Sequence, residues 1–337
     1  MDHALIVIIF LIVLALVFDF LNGFHDSANS IATIVSTHTL KPHWAVIWAA
    51  TFNFIAFLFF KLHVANTIGT GLIDPTIVDK HLIFSTLCGA IFWNILTWYY
   101  GLPSSSSHAL IGGLVGSAIA KSGVHSINFA GIGKVVSSIF LSPMVGFTLG
   151  FLFMFIAISL FFRSNRTRID HYFKRIQLVS SALISLGHGG NDAQKTMGII
   201  AILLFSSHML GDHFYVPLWV IITCNLVMGL GTLLGGWRIV KTMGMRITKL
   251  KPLQGSCAEL AGACTLFAAT NLGIPVSTTH TIAGSIFGVG MMNNASGVRW
   301  NVAQRMVIAW IITIPAAGLV SAAMWVLSGW AVKLIGW

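Results

Sequence analysis

Asn22-Gly23-Phe24-His25-Asp26 recurs 166 positions later as His188-Gly189-Gly190-Asn191-Asp192. Each copy sets amide and carboxylate groups at the end of a long apolar run. A second pair follows in the same order. Gly101-Leu102-Pro103-Ser104-Ser105-Ser106-Ser107-His108 is matched, 172 positions on, by Gly273-Ile274-Pro275-Val276-Ser277-Thr278-Thr279-His280. Two matched pairs in one order mark an internal duplication.

Around these motifs the chain is apolar. Of 337 residues, 56% are hydrophobic and 8% charged, and the mean hydropathy is +0.87. A soluble globular chain carries about 25% charged residues, so this one has too few to clothe a water-exposed surface. Apolar runs of about 20 residues, enough to cross a bilayer as a helix, recur along the whole length. The pattern predicts an all-α polytopic membrane protein. Its ten main crossings are expected at 4–21, 44–61, 82–101, 106–123, 138–162, 176–190, 217–236, 255–272, 276–292 and 303–327. The stretches 22–40 and 191–207 are apolar but rich in Gly, Asn, Asp, Ser and Thr, and are expected to be broken or re-entrant helices, for ten to twelve membrane segments in all. The N-terminus carries Asp2, no cationic segment and no small-residue cleavage site, so it reads as a first crossing rather than a cleaved signal.

The net charge of +10 does not point to nucleic acid, because of where the cations sit. Ten of nineteen fall in two short segments: Arg163, Arg166, Arg168, Lys174 and Arg175, then Arg238, Lys241, Arg246, Lys249 and Lys251. Short basic segments between apolar ones read as cytoplasmic, with anionic membrane lipid as their partner. Counting crossings from them places both termini on the external side of an inner (plasma) membrane. Lys41, Arg299 and Arg305 then join the cytoplasmic set, and Lys61, Lys80, Lys121, Lys134 and Lys333 are external. Trp44, Trp98, Tyr99, Tyr100, Trp300 and Trp337 read as interfacial anchors. Cys88, Cys224, Cys257 and Cys264 show no metal-ligand or redox spacing.

Five crossings per half is an odd number, so the second copy enters the membrane in the opposite sense. The reading is an inverted-topology repeat, with residues 1–162 as the first half, 163–175 as a basic cytoplasmic linker and 176–337 as the second half. Such repeats build many secondary transporters around a site near the midplane. A channel could be built the same way.

Four of nine acidic residues lie in or beside apolar segments: Asp19, Asp26, Asp192 and Glu259. A carboxylate at membrane depth is costly unless partnered and marks function by default. If the helix continues through 19–33, then Asp19, Asn22, Asp26, Asn29, Ser30 and Thr33 share one face. Ser185, His188, Asp192, Lys195 and Thr196 do the same in the second half. Asp26 and Asp192 are candidate ligands of a coupling cation or proton. Asp19 either joins them or faces the membrane boundary, and Glu259, after Gly255-Ser256-Cys257, is expected near a helix start. The Pro-led hydroxyl runs, Ser104, Ser105, Ser106 and Ser107 with Ser277, Thr278 and Thr279, suit an oxyanion. Proline favours the first helical turn, and free N–H groups at a helix start bind anions. Lys195 either neutralises substrate charge, pairs with Asp192 or reaches out to the interface. His25, His108, His188 and His280 could relay protons or serve as packed structural histidines. No spacing demands a resident metal. Ser107 and His108 do not make a hydrolase, since adjacent residues cannot easily present a hydroxyl to the neighbouring ring and no orienting carboxylate is evident. No enzyme activity is expected.

These motifs resemble those of the inorganic phosphate transporter (PiT) family. The carriers are Asn22 to Asn29, Gly189 to Lys195, the paired Pro-led motifs and Glu259 in Cys257-Ala258-Glu259, spanning nearly the whole chain. The resemblance implies a phosphate symporter driven by protons or sodium, with about twelve membrane segments and no cofactor. Asn22, His25, Asn29, Asn191, Asp26, Asp192, Lys195 and the hydroxyl runs would then line the substrate and cation sites. The chain lacks the long central hydrophilic loop of many eukaryotic members and looks bacterial. His25 stands where sodium-coupled members tend to have Asn, which favours the proton. Bacterial members of this kind imply a neutral metal–phosphate complex as cargo, and some relatives carry sulfate. Inorganic phosphate, a coupling cation and membrane lipid are the expected partners. A homodimer and a PhoU-like cytoplasmic regulator are compatible with the resemblance.

Overall fold

The computed structural model describes residues 3–335; Trp337, read above as an anchor, lies outside them. Among the described residues the regular structure is helical, apart from an isolated bridge between Ile73 and Ile127. The helix α1 runs His3–Ser36, 34 residues, about 50 Å. Its antiparallel partner α7 runs Arg166–Ser206, 41 residues. Their direction follows from their contacts: Asp19 meets Thr196, Ser30 meets His188 and Thr37 meets Gln177.

The breaks expected at 22–40 and 191–207 are therefore absent. Both polar motifs lie inside unbroken helices, and most of the 163–175 linker is the first turns of α7. The reason is that each helix satisfies the other's polar side chains across their seam, so neither backbone need open. Breaks exist one helix later in each half. Residues Pro42–Ile55 (α2), continued by a short turn to Leu58, and His63–Thr70 (α3) form one bent pair, at 80°. Leu218–Leu234 (α8) and Trp237–Lys241 (α9), the latter ending in a π-helical turn at Thr242–Arg246, form another at 62°. The sequence predicts the first as one straight crossing and the second as a crossing plus a basic loop.

The remaining helices fall close to the expected segments: α4 (Lys80–Tyr100), α5 (Ser106–Ser122), α6 (Phe129–Phe161), α10 (Pro252–Asn271), α11 (Thr278–Asn294) and α12 (Trp300–Ile335). Local chemistry sets their ends. Asp79, Ser105, Asn128 and Ser277 accept N-terminal amides of α4, α5, α6 and α11, each satisfying a donor that the helix start leaves free. Gly101 and Gly273, at φ of +62° and +67°, turn the chain out of α4 and α10, a conformation that suits only glycine well. Pro103 and Pro275 precede α5 and α11 rather than opening them; Ser105 and Ser277 are the caps.

The helices α1, α4, α6 and α12 are each apolar and long enough to cross a membrane, and their outer faces expose large side chains such as Phe10, Phe140, Phe155 and Ile311. This is a multi-pass membrane fold. Element order recurs: long helix, bent pair, helix, short helix, long helix with an internal proline (Pro143 in α6, Pro315 in α12). The last helix of each half packs on the short helix of the other, α6 on α11 and α12 on α5. Glycines permit this approach. A Cβ at Gly116 would lie 2.1 Å from the Gly318 carbonyl oxygen, and one at Gly288 would lie 2.1 Å from that of Phe147. Backbone packing of this kind drives helix association in lipid. Gly288→Ala is therefore expected to destabilise the fold by about 1–3 kcal/mol, read as a lower midpoint in thermal unfolding of the detergent-solubilised protein.

Candidate substrate and cation site

Asp26 and Asp192 meet where α1 and α7 cross, and the first turns of α5 and α11 point into the same space. Asp26 Oδ2 accepts from Ser106 Oγ at 2.8 Å, and Oδ1 lies 2.6 Å from His25 Nδ1 and 3.5 Å from Thr279 Oγ1. Ser106 Oγ also reaches Asn22 Oδ1 at 2.5 Å. Asp192 Oδ2 accepts from Thr278 Oγ1 at 3.0 Å, and Lys195 Nζ donates to Asp192 Oδ1 at 2.5 Å, to the Val276 carbonyl at 2.8 Å and to Ser107 Oγ. Asn29 Nδ2 donates to both Thr278 and Thr279 hydroxyls at 3.0 Å. Six candidate oxyanion residues (Asn29, Ser106, Ser107, Lys195, Thr278 and Thr279) thus share one pocket with both aspartates. None is more than 2% exposed, so the pocket is closed to water.

The other candidates lie around it. Ser105 and Ser277 cap helices, and Ser104 donates to Thr97 Oγ1 at 2.9 Å. His25 Nε2 lies 3.2 Å from that same Thr97 hydroxyl, and Asn191 Nδ2 donates to Thr270 at 3.0 Å. These two contacts are equivalent: each ties a motif to the last turn before Gly101 or Gly273. His108 and His280 pack ring to ring at 4.9 Å behind the pocket, with His280 stacked on Trp310 at 4.1 Å. Lys195 is 1% exposed, so it does not reach out to the interface; it pairs with Asp192.

His188 completes the pocket. Asn53 donates its amide to Thr232 Oγ1 at 3.0 Å and turns its carbonyl oxygen to His188 Nδ1 at 3.2 Å. That oxygen calls for an N–H on Nδ1. The Nε2 lone pair then lies 3.3 Å from Asp192 Oδ2, which is repulsive unless a positive charge sits between. Ligand atoms of Asp26, His188 and Asp192 all lie within 4.8 Å of one another, a donor set able to hold a proton or a cation.

Two carboxylates stand apart. Glu259 lies seven residues into α10, past the helix start that the sequence suggested would favour it. Its partners are instead Thr33 (2.6 Å), Gln177 (3.0 Å) and Ser180 (2.5 Å) across the seam. Asp19 is fully buried beside Thr196 and faces the interior rather than outward. Thr97, Gln177 and Ser180 carry no sequence signal of their own. Each is an ordinary residue of an apolar or basic stretch, and only the chain's fold brings it to a motif.

Both Gly-x-Pro turns beside the pocket are held by a bent half-helix. Thr67 in α3 donates to the Gly273 carbonyl at 2.8 Å, and Thr242 after α9 donates to that of Gly101 at 3.1 Å. On the second side Arg238 adds a further clasp, donating to the Tyr99 carbonyl at 2.5 Å with its guanidinium 5.2 Å from the Trp98 and Tyr99 rings.

A polytopic membrane fold with two helix starts and an acid–base cluster enclosed at its centre defines a transport protein for a small polar solute rather than an enzyme. The sequence matches the Phosphate transporter family over residues 22–321, and the chain belongs to that family. A protein of Rhizobium meliloti (strain 1021) named "Probable low-affinity inorganic phosphate transporter" is 63% identical over 312 residues, 93% of each chain. One of the same name from Bacillus subtilis (strain 168) is 46% identical over 96% of this chain and 97% of its own. The fold matches a solved structure titled "The sodium-dependent phosphate transporter" with a TM-score of 0.88, at 25% identity, over 98% of this chain and 99% of the other.

The Lys195–Asp192 pair is predicted to matter for folding as well as for charge. Removing one partner of a buried pair costs about 3–5 kcal/mol, whereas replacing both is far milder. Lys195→Met is expected to lower the unfolding midpoint sharply, and Lys195→Met with Asp192→Asn to recover part of it. Equal losses in both variants would show that the ion pair is not what the lysine supplies.

Proposed function

We propose that this chain is a secondary active symporter for inorganic phosphate, driven by protons. The observation that carries the reading is the pocket's charge balance. Asp26 and Asp192 face one ammonium, Lys195. The starts of α5 and α11 contribute about +0.5 each. Two carboxylates, one lysine and two helix ends come to roughly zero. Phosphate dianion alone would leave the closed pocket about two charges negative, a large cost away from water. Positive charge must therefore enter with it.

The hydrogen bonds supply the coupling step. In the closed pocket Ser106 and Thr278 donate to Asp26 and Asp192. A proton or cation on these carboxylates weakens their claim on the hydroxyls, which turn to the phosphate oxygens. Asn29, Ser107, Thr279 and Lys195 complete the shell. Asn22, His25, Asn191 and Glu259 support or extend the cation side. A proton is favoured because His25 and His188 flank the two aspartates with imidazole nitrogens. Sodium is the second reading, supported by the printed title of the solved relative. A neutral metal–phosphate complex would balance the same charges.

On this reading residues 1–162 and 176–337 are inverted halves, joined at the basic segment on the cytoplasmic side, with both termini external. Each Gly-x-Pro turn, clasped by α3 or α9, opens in its turn to give alternating access.

The test is purified protein in liposomes with labelled phosphate outside. An inward gradient of one pH unit supports about tenfold accumulation per coupled proton, and the wild type should show it. Asp26→Asn and Asp192→Asn should each lose accumulation; Asp26→Asn should insert normally, whereas Asp192→Asn leaves Lys195 without its partner and should also lower the unfolding midpoint. Accumulation that follows a sodium gradient and ignores pH selects sodium. Equilibration without accumulation under any gradient would make the protein a channel, and stronger competition by sulfate than by unlabelled phosphate would change the cargo.

A further inference from the structure

Asp19 is a buried carboxylate that the phosphate pocket does not use. It precedes Asp26 by two helical turns on the same face of α1, about 10 Å along the axis. Its side chain has no exposure. Oδ1 accepts from Thr196 Oγ1 on α7 at 2.8 Å, and Oδ2 has no hydrogen-bond partner. Neighbouring positions are apolar: Ala15 and Phe18 on α1, Ile199 and Ile200 on α7 and Met228 on α8 belong to one buried cluster. The ammonium nearest in sequence to Thr196, that of Lys195, is committed to Asp192, Ser107 and the Val276 carbonyl. Asp192 on α7 and the Cys224 thiol on α8 act on it electrostatically, and neither supplies positive charge.

An ionised carboxylate in this place would lack both counter-charge and water, at a cost of several kcal/mol. A hard metal ion is a poor remedy, because such ions take about six oxygen ligands. The side-chain oxygens joined here are the carboxylate pair and one hydroxyl. A proton needs a single oxygen.

We propose that Asp19 is a proton-binding site in its own right, standing between the N-terminal end of α1 and the phosphate pocket. It rests on the proton-coupled reading above and adds a station to it. Thr196 follows Asp192 by one turn of α7 and follows Lys195 directly, so the Asp19–Thr196 bond links this proton to the segment that carries the pocket. When Asp19 gives up its proton, the new negative charge faces Asp192 across the seam and raises the demand there for positive charge.

The test compares wild type and Asp19→Asn in liposomes across pH. The ratio of their phosphate exchange rates cancels the titration of phosphate itself. That ratio should fall by about tenfold per pH unit on the alkaline limb, and Asp19→Glu should restore the wild-type profile. A ratio flat with pH overturns the proposal. Infrared difference spectra give a second readout that needs no transport. The carbonyl-stretch band of a protonated carboxylic acid should vanish in Asp19→Asn and move to higher frequency in Thr196→Val, which folds without the donated hydrogen bond. A band unaltered in Thr196→Val overturns the proposal even where Asp19→Asn fails to insert. Wild-type accumulation that follows sodium and ignores pH defeats the proton-coupled reading instead, whatever the band does.

Discussion

Two carboxylates and one ammonium share a space closed to water, and the arrangement of the whole chain follows from keeping them there. Asp26 and Asp192 reach each other only because α1 and α7 run antiparallel through the centre. Those helices stay unbroken only because their polar faces match along the seam, from Asp19 with Thr196 to Thr37 with Gln177. Remove the seam and the lipid environment would leave a row of hydroxyls, amides and acids without partners. Remove the acids and the hydroxyls of Ser106 and Thr278 would lose the acceptors they hold in the closed pocket.

The rest of the fold brings helix starts to that pair. The short helices α5 and α11 aim their first turns inward, and each is braced from outside by the long proline-containing helix of the other half. Glycine-to-carbonyl contacts make this bracing close and rigid. The turns that lead into α5 and α11 are tied by side-chain donors from several helices: Thr242 to the Gly101 carbonyl and Trp310 to that of Pro103 on one, Thr67 to the Gly273 carbonyl, Asn191 to that of Ile274 and Lys195 to that of Val276 on the other.

Much of this was legible in the sequence because it rests on chemistry that repeats. The doubled motifs announced the pocket, and composition announced the membrane. The stripe Asp19-Asn22-Asp26-Asn29-Thr33 was readable as one helix face, and that face is indeed buried. The breaks were misjudged for a physical reason. Gly23, Gly189 and Gly190 look like weak points in isolation, but each gives room to a neighbour: a Cβ at Gly23 would strike the Met228 carbonyl and one at Gly189 that of Asn53. The true bends, after Leu58 and Leu234, carry no such conspicuous polar motif. Partners supplied from afar, such as Thr97 for His25 or Gln177 and Ser180 for Glu259, leave no local trace, since nothing in their own segments requires them to face an acid.

A pocket built from two equivalent halves offers similar surroundings from either side, and equivalence alone gives no direction. The departures from it are few and lie away from the centre. Position 185, which matches Asp19, is a serine, and position 87, which matches Glu259, is a leucine. Asp19 sits toward the N-terminal end of α1, and Glu259 meets α1 at Thr33, two turns beyond Asp26. The cation clasp of Arg238 on Trp98 and Tyr99 closes one Gly-x-Pro turn and not the other. Duplication thus supplies the enclosed centre, and these unmatched residues are where its two approaches differ in charge and in the strength of their closure. On the symporter reading proposed above, differences of that kind, placed on opposite sides of a shared site, let the driving ion bind from one side and leave to the other.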